Sequence, residues 1–213
     1  AGADLEQFAK LRRNKIRQTK AFKVLSVGVA FPHRRYEDLI DATAKLVIES
    51  IPVEVMIVGR RDLDKNYSTK LEAKIKKLRL DDRISLVDYV PDDEMKSLYR
   101  EADAFVFIND AETWGISVFE AIAAGIPTVI TSNIGAADIV RSGTDGWIVP
   151  PRKPREVAKA LTEIYKNPQE ARDKVTSAAE RITSIVSWEA YANRMMNLIL
   201  SEGRTTGEVI SKA

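Results

Sequence analysis

Residues 103–131 read DAFVFINDAETWGISVFEAIAAGIPTVIT, a succession of strand, loop, helix and strand. Residues 103–109 hold a short run of Phe, Val and Ile, the pattern of a strand buried in a parallel sheet. The loop from Asp110 to Gly115 leaves the carboxyl end of that strand and carries one acid, Glu112. Gly115 opens a helix over 116–124 whose second turn carries another acid, Glu120. Gly125 stops the helix, and Pro127 precedes an apolar strand over 128–131. Open α/β sheets bind ligands outside the carboxyl ends of their strands. The segment therefore sets two carboxylates and the free N–H groups of a helix start where a ligand is expected.

The same alternation extends both ways. Strands are expected over 22–29, 53–58, 84–87 and 147–149, with helices over 36–50, 68–80 and from Asp92 and Asp93 through Ala102. A short helix over 136–141 and the turn Gly143-Thr144-Asp145-Gly146 lead to the last strand. From Pro154 the pattern gives three helices and no strand. Pro154 and Pro168 suit first helical turns, and Ser187 can cap a helix with Trp188, Tyr191, Met195 and Leu198 on one face. Six strands alternating with helices imply right-handed crossovers, hence an α/β fold with a doubly wound, six-stranded, Rossmann-like parallel sheet and extra C-terminal helices. The chain divides into a leading segment with a helix (1–20), a single domain (21–202) and a tail (203–213) expected to fray. Asp4 can cap the leading helix, in which Leu5, Phe8 and Leu11 have helical spacing. Its basic run (Arg12, Arg13, Lys15, Arg17, Lys20) has no interleaved aromatics and reads as a solvated face rather than an RNA contact.

Bulk composition narrows the partners. Lys plus Arg number 33 and Asp plus Glu 31, so a net charge of +2 gives no support for nucleic-acid or membrane binding, and any basic site must be local. Without cysteine there is neither disulfide nor thiolate chemistry. No stretch resembles a signal peptide and no apolar run approaches the ~18 residues of a spanning helix, so a cytoplasmic location is expected.

Glu112 and Glu120 are the only Glu pair with seven intervening residues, but about one such pair arises by chance at this glutamate content. Placement carries the argument: a carboxylate that accepts two hydrogen bonds from adjacent hydroxyls is suited to a sugar diol. Asp62-Leu63-Asp64 has the form of a divalent-metal motif, but Arg60, Arg61 and Lys65 would compete for its carboxylates, and no metal is expected. His33, the one histidine, has no acid partner evident in the sequence and reads as a loop packing element. A phosphate-accepting receiver domain needs an acidic pair after the first strand, and residues 26–30 have none.

The segment DAETWGISVFEAIAAGIPTVIT resembles the donor-site motif of retaining glycosyltransferases of family 4, which have the GT-B fold. In that motif a Glu, a variable residue, an aromatic and a Gly precede the second Glu. VLSVGVAFPHRRYEDLI (24–40) looks like the family's first strand and phosphate loop, and SNIGAADIVRSGTDGWIVPP (132–151) is similar to a later family block. Gly2-Ala3-Asp4 looks like the end of the linker between the two GT-B domains. The resemblance implies the donor-binding, C-terminal half of a retaining hexosyltransferase, whose partners are a nucleoside diphosphate sugar and an absent N-terminal acceptor domain. Any membrane contact would run through that absent domain. It implies no cofactor and no metal.

Carried over by residue, the resemblance gives Glu120 the ribose hydroxyls and Glu112 the donor sugar near the scissile bond. The backbone N–H groups of Trp114, Gly115, Ile116 and Ser117 would face sugar and phosphate oxygens, as helix starts do for anions. For Trp114 itself, a packed structural role is equally compatible. Gly28 begins the phosphate loop, but Val29 stands where the family has arginine. Arg34-Arg35 replaces its Lys-Gly pair. Arg34 is thus assigned to the phosphates, and Arg35 to the place of the lost cation. The base would lie near residues 88–91, read through the main chain of Tyr89 and Val90. Catalysis would be electrostatic, with Arg34 and Glu112 at the reacting bond. A non-catalytic nucleotide-binding or interaction module of the same fold is the alternative reading, favoured by Val29.

Overall fold

A computed structural model of the chain describes residues 4–13, 21–110 and 113–210, with side chains through 200. The strands are β1 Phe22–Val27, β2 Val53–Val58, β3 Ile84–Val87, β4 Ala104–Phe107, β5 Thr128–Thr131 and β6 Trp147–Val149. They pair in parallel in the order β3-β2-β1-β4-β5-β6. Consecutive strands neighbour one another except where the chain returns from the β3 edge to β4. The carboxyl ends of β1 and β4 therefore flank the switch point, where crossovers diverge to opposite faces and leave a crevice. β4 and β5 are buried at every position, as strands covered on both faces must be.

Helices α1 Glu6–Ala9, α2 Tyr36–Ile48, α3 Lys65–Lys77, α4 Asp92–Glu101, α5 Ile116–Ala123, α6 Pro154–Lys166, α7 Pro168–Val186 and α8 Trp188–Ile210 complete the fold. Two cores result. Leu39, Leu46, Leu71 and Leu161 of α2, α3 and α6 pack on one sheet face. Phe8, Tyr99, Phe119, Ile122 and Val175 of α1, α4, α5 and α7 pack on the other. Each fully buried Phe or Leu contributes roughly 1.5–3 kcal/mol of transfer free energy.

Departures from the sequence reading have identifiable physical causes. β1 ends at Val27 because Gly28, at φ 149°, turns the chain. α3 starts earlier than expected because Asp64 accepts from Tyr67 N (2.9 Å) and caps it. The short helix after β5 is a 3-10 turn, Gly135–Asp138. The leading helix is described only as the single turn α1; residues 14–20 lie outside the described residues. Arg12 and Arg13 do not form a solvated face. Arg12 Nε donates to Ala123 O (2.8 Å) and Arg13 Nη2 to Ala102 O (2.6 Å), each neutralising the carbonyl end of a helix. Ser187 does cap α8, its Oγ accepting from Ala190 N (3.1 Å), and the α8 backbone stays helical to Ile210.

Candidate active site

The loop after β1 is built on Gly28. A Cβ there would lie 2.8 Å from Cζ and Nη2 of Arg34, so glycine leaves the room into which Arg34 folds back. Arg34, on the 3-10 turn Pro32–Arg34, is only 4% exposed. Its Nη2 donates to Val27 O (2.9 Å), and its Cζ lies 3.8 Å from the Phe107 ring centroid at the end of β4. Its Nε is buried and without a partner. The cation thus sits inside the mouth of β1 and β4 rather than reaching out from it.

Arg35 has different surroundings. It occupies φ 48°, the left-handed conformation at the start of α2, where the resembling family has glycine. Its guanidinium meets Glu37 (2.8 Å), Asp38 (2.9 Å) and, more loosely, Asp110 (3.9 Å). Asp110, at the exit of β4, also holds Arg152 (2.7 Å) and donates its N–H to His33 O (2.8 Å). Three carboxylates therefore share Arg35. His33 stacks on Phe31 at 5.7 Å, in keeping with a packing role.

Across the crevice, Asn109 is fully buried. Its N–H donates to Thr131 Oγ1 (3.0 Å), which in turn donates to Asn109 O (2.9 Å), and Asn109 Nδ2 donates to Thr113 Oγ1 (2.9 Å). This clamp fixes both ends of the loop that carries Glu112; Glu112 itself lies outside the described residues. Gly115, at φ 79°, starts α5 with no side-chain cap, leaving the first N–H groups (Ile116, Ser117) to an external acceptor. The backbone carbonyl of Gly115 accepts from Val118 N (3.0 Å).

Glu120 lies on the second turn of α5, where its Oε2 accepts from Tyr99 Oη (2.8 Å). Its Oε1 accepts no hydrogen bond among the described residues. Burial raises the Glu120 carboxyl above its usual range, opposed by the Tyr99 hydrogen bond. Tyr99 is sequestered between Phe8 and Phe105, and burial together with Glu120 pushes its hydroxyl well up. At the end of β3, Tyr89 is 74% exposed while Val90 is buried. Asp88 there accepts from Arg61 N (3.1 Å).

Trp114 packs against Phe119 (5.6 Å), and its indole lies on Gly135, where a Cβ would come within 2.6 Å of Cε3. Its packed role is therefore real. Asp62 pairs with Arg60 (2.9 Å) and Asp64 caps α3, so both acids of the Asp-Leu-Asp stretch are engaged by the chain. Tyr99, Asn109 and Asp110 enter the site only through the fold. A polar residue closing an apolar strand run was the one available signal, for Asn109. Nothing in the sequence joins Tyr99 to Glu120.

The family model described as "Glycosyl transferases group 1" matches residues 7–182. The chain belongs to that family. Mannosylfructose-phosphate synthase of Agrobacterium fabrum is 27% identical over 208 residues, covering 94% of this chain and 45% of the relative. Glycogen synthase of Mycobacterium tuberculosis is 31% identical over 119 residues, 55% of this chain and 28% of that one. Among solved structures, Anabaena HepE in complex with UDP and glucose superposes with a TM-score of 0.78 at 20% identity, over 94% of this chain and 53% of HepE. The C-terminal domain of a group 1 glycosyl transferase (LpcC) from Francisella tularensis gives 0.64 at 22% identity, over 83% of this chain and 93% of that domain. Those structural likenesses establish the shared fold. The chain spans about half the length of the first of these curated relatives.

Proposed function

We propose that this group 1 glycosyltransferase chain is the C-terminal, donor-binding half of a retaining GT-B hexosyltransferase of family 4. It would hold a nucleoside diphosphate sugar over the β1–β4 switch point, and the parent enzyme would pass the hexosyl group to a hydroxyl acceptor. The observation that carries this reading is Glu120. A carboxylate kept partly buried by Tyr99, with one oxygen unengaged, is arranged to accept hydrogen bonds from two neighbouring hydroxyls. At the β1–β4 mouth, Arg34 provides a positive charge, and the helix that carries Glu120 begins with an uncapped N-terminus. Both favour the diphosphate as negative charge builds on it during cleavage of the anomeric carbon–oxygen bond.

HepE has been crystallised with UDP-glucose, which supports a nucleotide sugar as the ligand class. The match over nearly all of a separately crystallised C-terminal domain supports the assignment to that half. In this reading Glu112 contacts the transferred sugar, Tyr89 and Val90 present the main chain to the base, and Trp114 to Ser117 offer N–H groups. Arg35 steadies the loop through its carboxylates and does not replace the family cation that Val29 removes. No metal or other cofactor takes part, and the parent works in the cytoplasm or at the cytoplasmic face of a membrane. The acceptor site belongs to the other half, so the isolated chain turns over poorly or not at all. Val29 favours the second reading, a nucleotide-binding module without catalysis.

Calorimetric titration with UDP-, GDP- and ADP-sugars tests the proposal. Binding that is lost in Glu120→Ala and Arg34→Ala is the expected result. Binding unaffected by both substitutions would overturn it.

A further inference from the structure

The Glu120 carboxylate stands at the end of a chain of contacts that begins near the start of the sequence. Tyr99 Oη donates to Glu120 Oε2 (2.8 Å), the one hydrogen bond that a described residue gives this carboxylate. Tyr99 is 1% exposed, and its ring packs on two others. Phe105 of β4 stacks on it with centroids 5.8 Å apart, and Phe8 of α1 meets it edge to face at 5.0 Å. Phe105 is fixed by the sheet. Phe8 comes from the leading segment, residues 4–13, which contributes no strand.

That segment fastens together the two helices that make the contact. Arg12 Nε donates to Ala123 O (2.8 Å) at the end of α5, and Arg13 Nη2 to Ala102 O (2.6 Å) at the end of α4. A guanidinium suits both places, because a helix end offers unpaired carbonyls and the negative end of its dipole. Arg13 also reaches Asp103 (3.3 Å), and Leu5 and Leu11 are buried in the same core as Phe8. Since α4 carries Tyr99 and α5 carries Glu120, a segment that ties one helix to the other fixes the hydroxyl relative to the carboxylate. The consequence is one of binding. A glutamate side chain that must be ordered as a ligand arrives weakens the complex. Tyr99 orders it beforehand and still leaves Oε1 and a lone pair of Oε2 to accept.

We infer that the leading segment positions Glu120 for the nucleotide: Arg12 and Arg13 hold α4 to α5, Phe8 backs Tyr99, and Tyr99 aims the carboxylate at the ribose hydroxyls. Phe8, Arg12 and Tyr99 are then positioning residues that set how strongly the chain prefers a ribonucleotide to a deoxyribonucleotide. The inference rests on the donor-site reading above and extends it to residues that touch no ligand.

Isothermal titration of the 213-residue chain tests it, with UDP against 2′-deoxy-UDP, GDP against 2′-deoxy-GDP and ADP against 2′-deoxy-ADP. For the base that binds best, the parent chain is expected to prefer the ribonucleotide about tenfold. Tyr99→Phe keeps the ring on Phe8 and Phe105 and removes only the hydroxyl. Phe8→Ala keeps the hydroxyl and removes the ring behind it; Arg12→Met keeps the side-chain stem and removes the tie to α5, a milder change should Phe8→Ala not fold. Each folded variant is expected to cut the preference to about threefold or less, with the deoxynucleotide within about twofold of its parent affinity. Leu161→Ala empties a fully buried position in the opposite core and is the control. It should lower the melting temperature and leave the ribose preference unchanged. Parallel weakening of both nucleotides, or the same loss of preference in Leu161→Ala, would overturn the inference. A parent chain that binds no nucleotide, or binds without ribose preference, would remove the Glu120 reading and this inference together. A ribose preference that survives in any folded one of the three positioning variants would remove this inference alone.

Discussion

Arg34 and Arg35 adjoin in the sequence, yet the fold buries one against Phe107 and gives the other to three carboxylates. The difference comes from two backbone positions: Gly28, which leaves space for the Arg34 guanidinium, and Arg35 itself in the left-handed region. Gly28→Ala places a methyl group against Arg34 Cζ at an unfavourable φ. It should cost about 1–3 kcal/mol in chemical denaturation and weaken UDP binding, because the cation must move. Glu120 makes the opposite exchange between stability and affinity. Its carboxyl is raised by burial, so the ionised form burdens the fold at neutral pH, and that burden disappears as pH falls below the ordinary glutamate range of about 4.3. Glu120→Gln keeps an acceptor for Tyr99 and sheds the charge. It should melt higher than the parent at pH 7, lose that advantage near pH 4, and bind nucleotide sugars about tenfold or more weakly. A lower melting temperature at pH 7 would contradict the burial argument.

At the scale of elements, the turn between β5 and β6 shows how one acid can fix a segment. Asp145 is 1% exposed. It accepts from the backbone N–H of Arg141 (2.8 Å), from Arg141 Nε (3.1 Å) and from Arg181 of α7. Arg181 also donates to Ile139 O (3.3 Å), so the turn, the Gly135–Asp138 segment and α7 are joined through one carboxylate. Burial pushes Asp145 up, but the Arg141 hydrogen bonds and the Arg181 charge outweigh it and hold the carboxyl below its usual range. Its stabilisation is therefore present above about pH 3.9 and is lost as pH falls further. Asp145→Asn should cost about 3 kcal/mol at pH 7, with a smaller difference from the parent on acid titration. The strands and most helices were legible in the sequence, because uninterrupted apolar runs and Gly or Pro boundaries report local preference directly; the strand order, and with it the switch point, comes from pairing between distant segments. The burial of Asp145 was not. The sequence shows a turn there, and only the approach of α7, 36 residues on, makes it a junction. The same holds for Arg12 and Arg13, whose charges suggested solvent but whose partners are carbonyls at the ends of α5 and α4. Within the site, Gly115 and Glu120 could be placed by pattern. The Tyr99 contact could not, since it joins two helices across 21 residues.

For the whole molecule, the sheet order sets the carboxyl ends of β1 and β4 side by side, with the Gly28 loop following β1 and α5 following β4. The chain spans about half the length of its first curated relative, and the proposal gives the acceptor site to the remainder. An assay of UDP release with UDP-glucose and added sugar acceptors should therefore show binding without sustained transfer by this chain alone; robust steady-state turnover would contradict that division. A pocket of about 170 Å³ lies at the amino ends of β1, β2 and β3, lined by Lys23, Glu54, Arg83 and Glu101 together with Leu25, Met56 and Leu98. It supplies the natural control for the central claim. The most direct test is backbone amide NMR of the isotopically labelled chain titrated with UDP. The account predicts shifts concentrated at Gly28 to Arg35, at Gly115 to Glu120 and at Tyr89 and Val90. Shifts centred on Lys23, Glu54 and Arg83, with the Gly28 loop and the start of α5 unmoved, would contradict it.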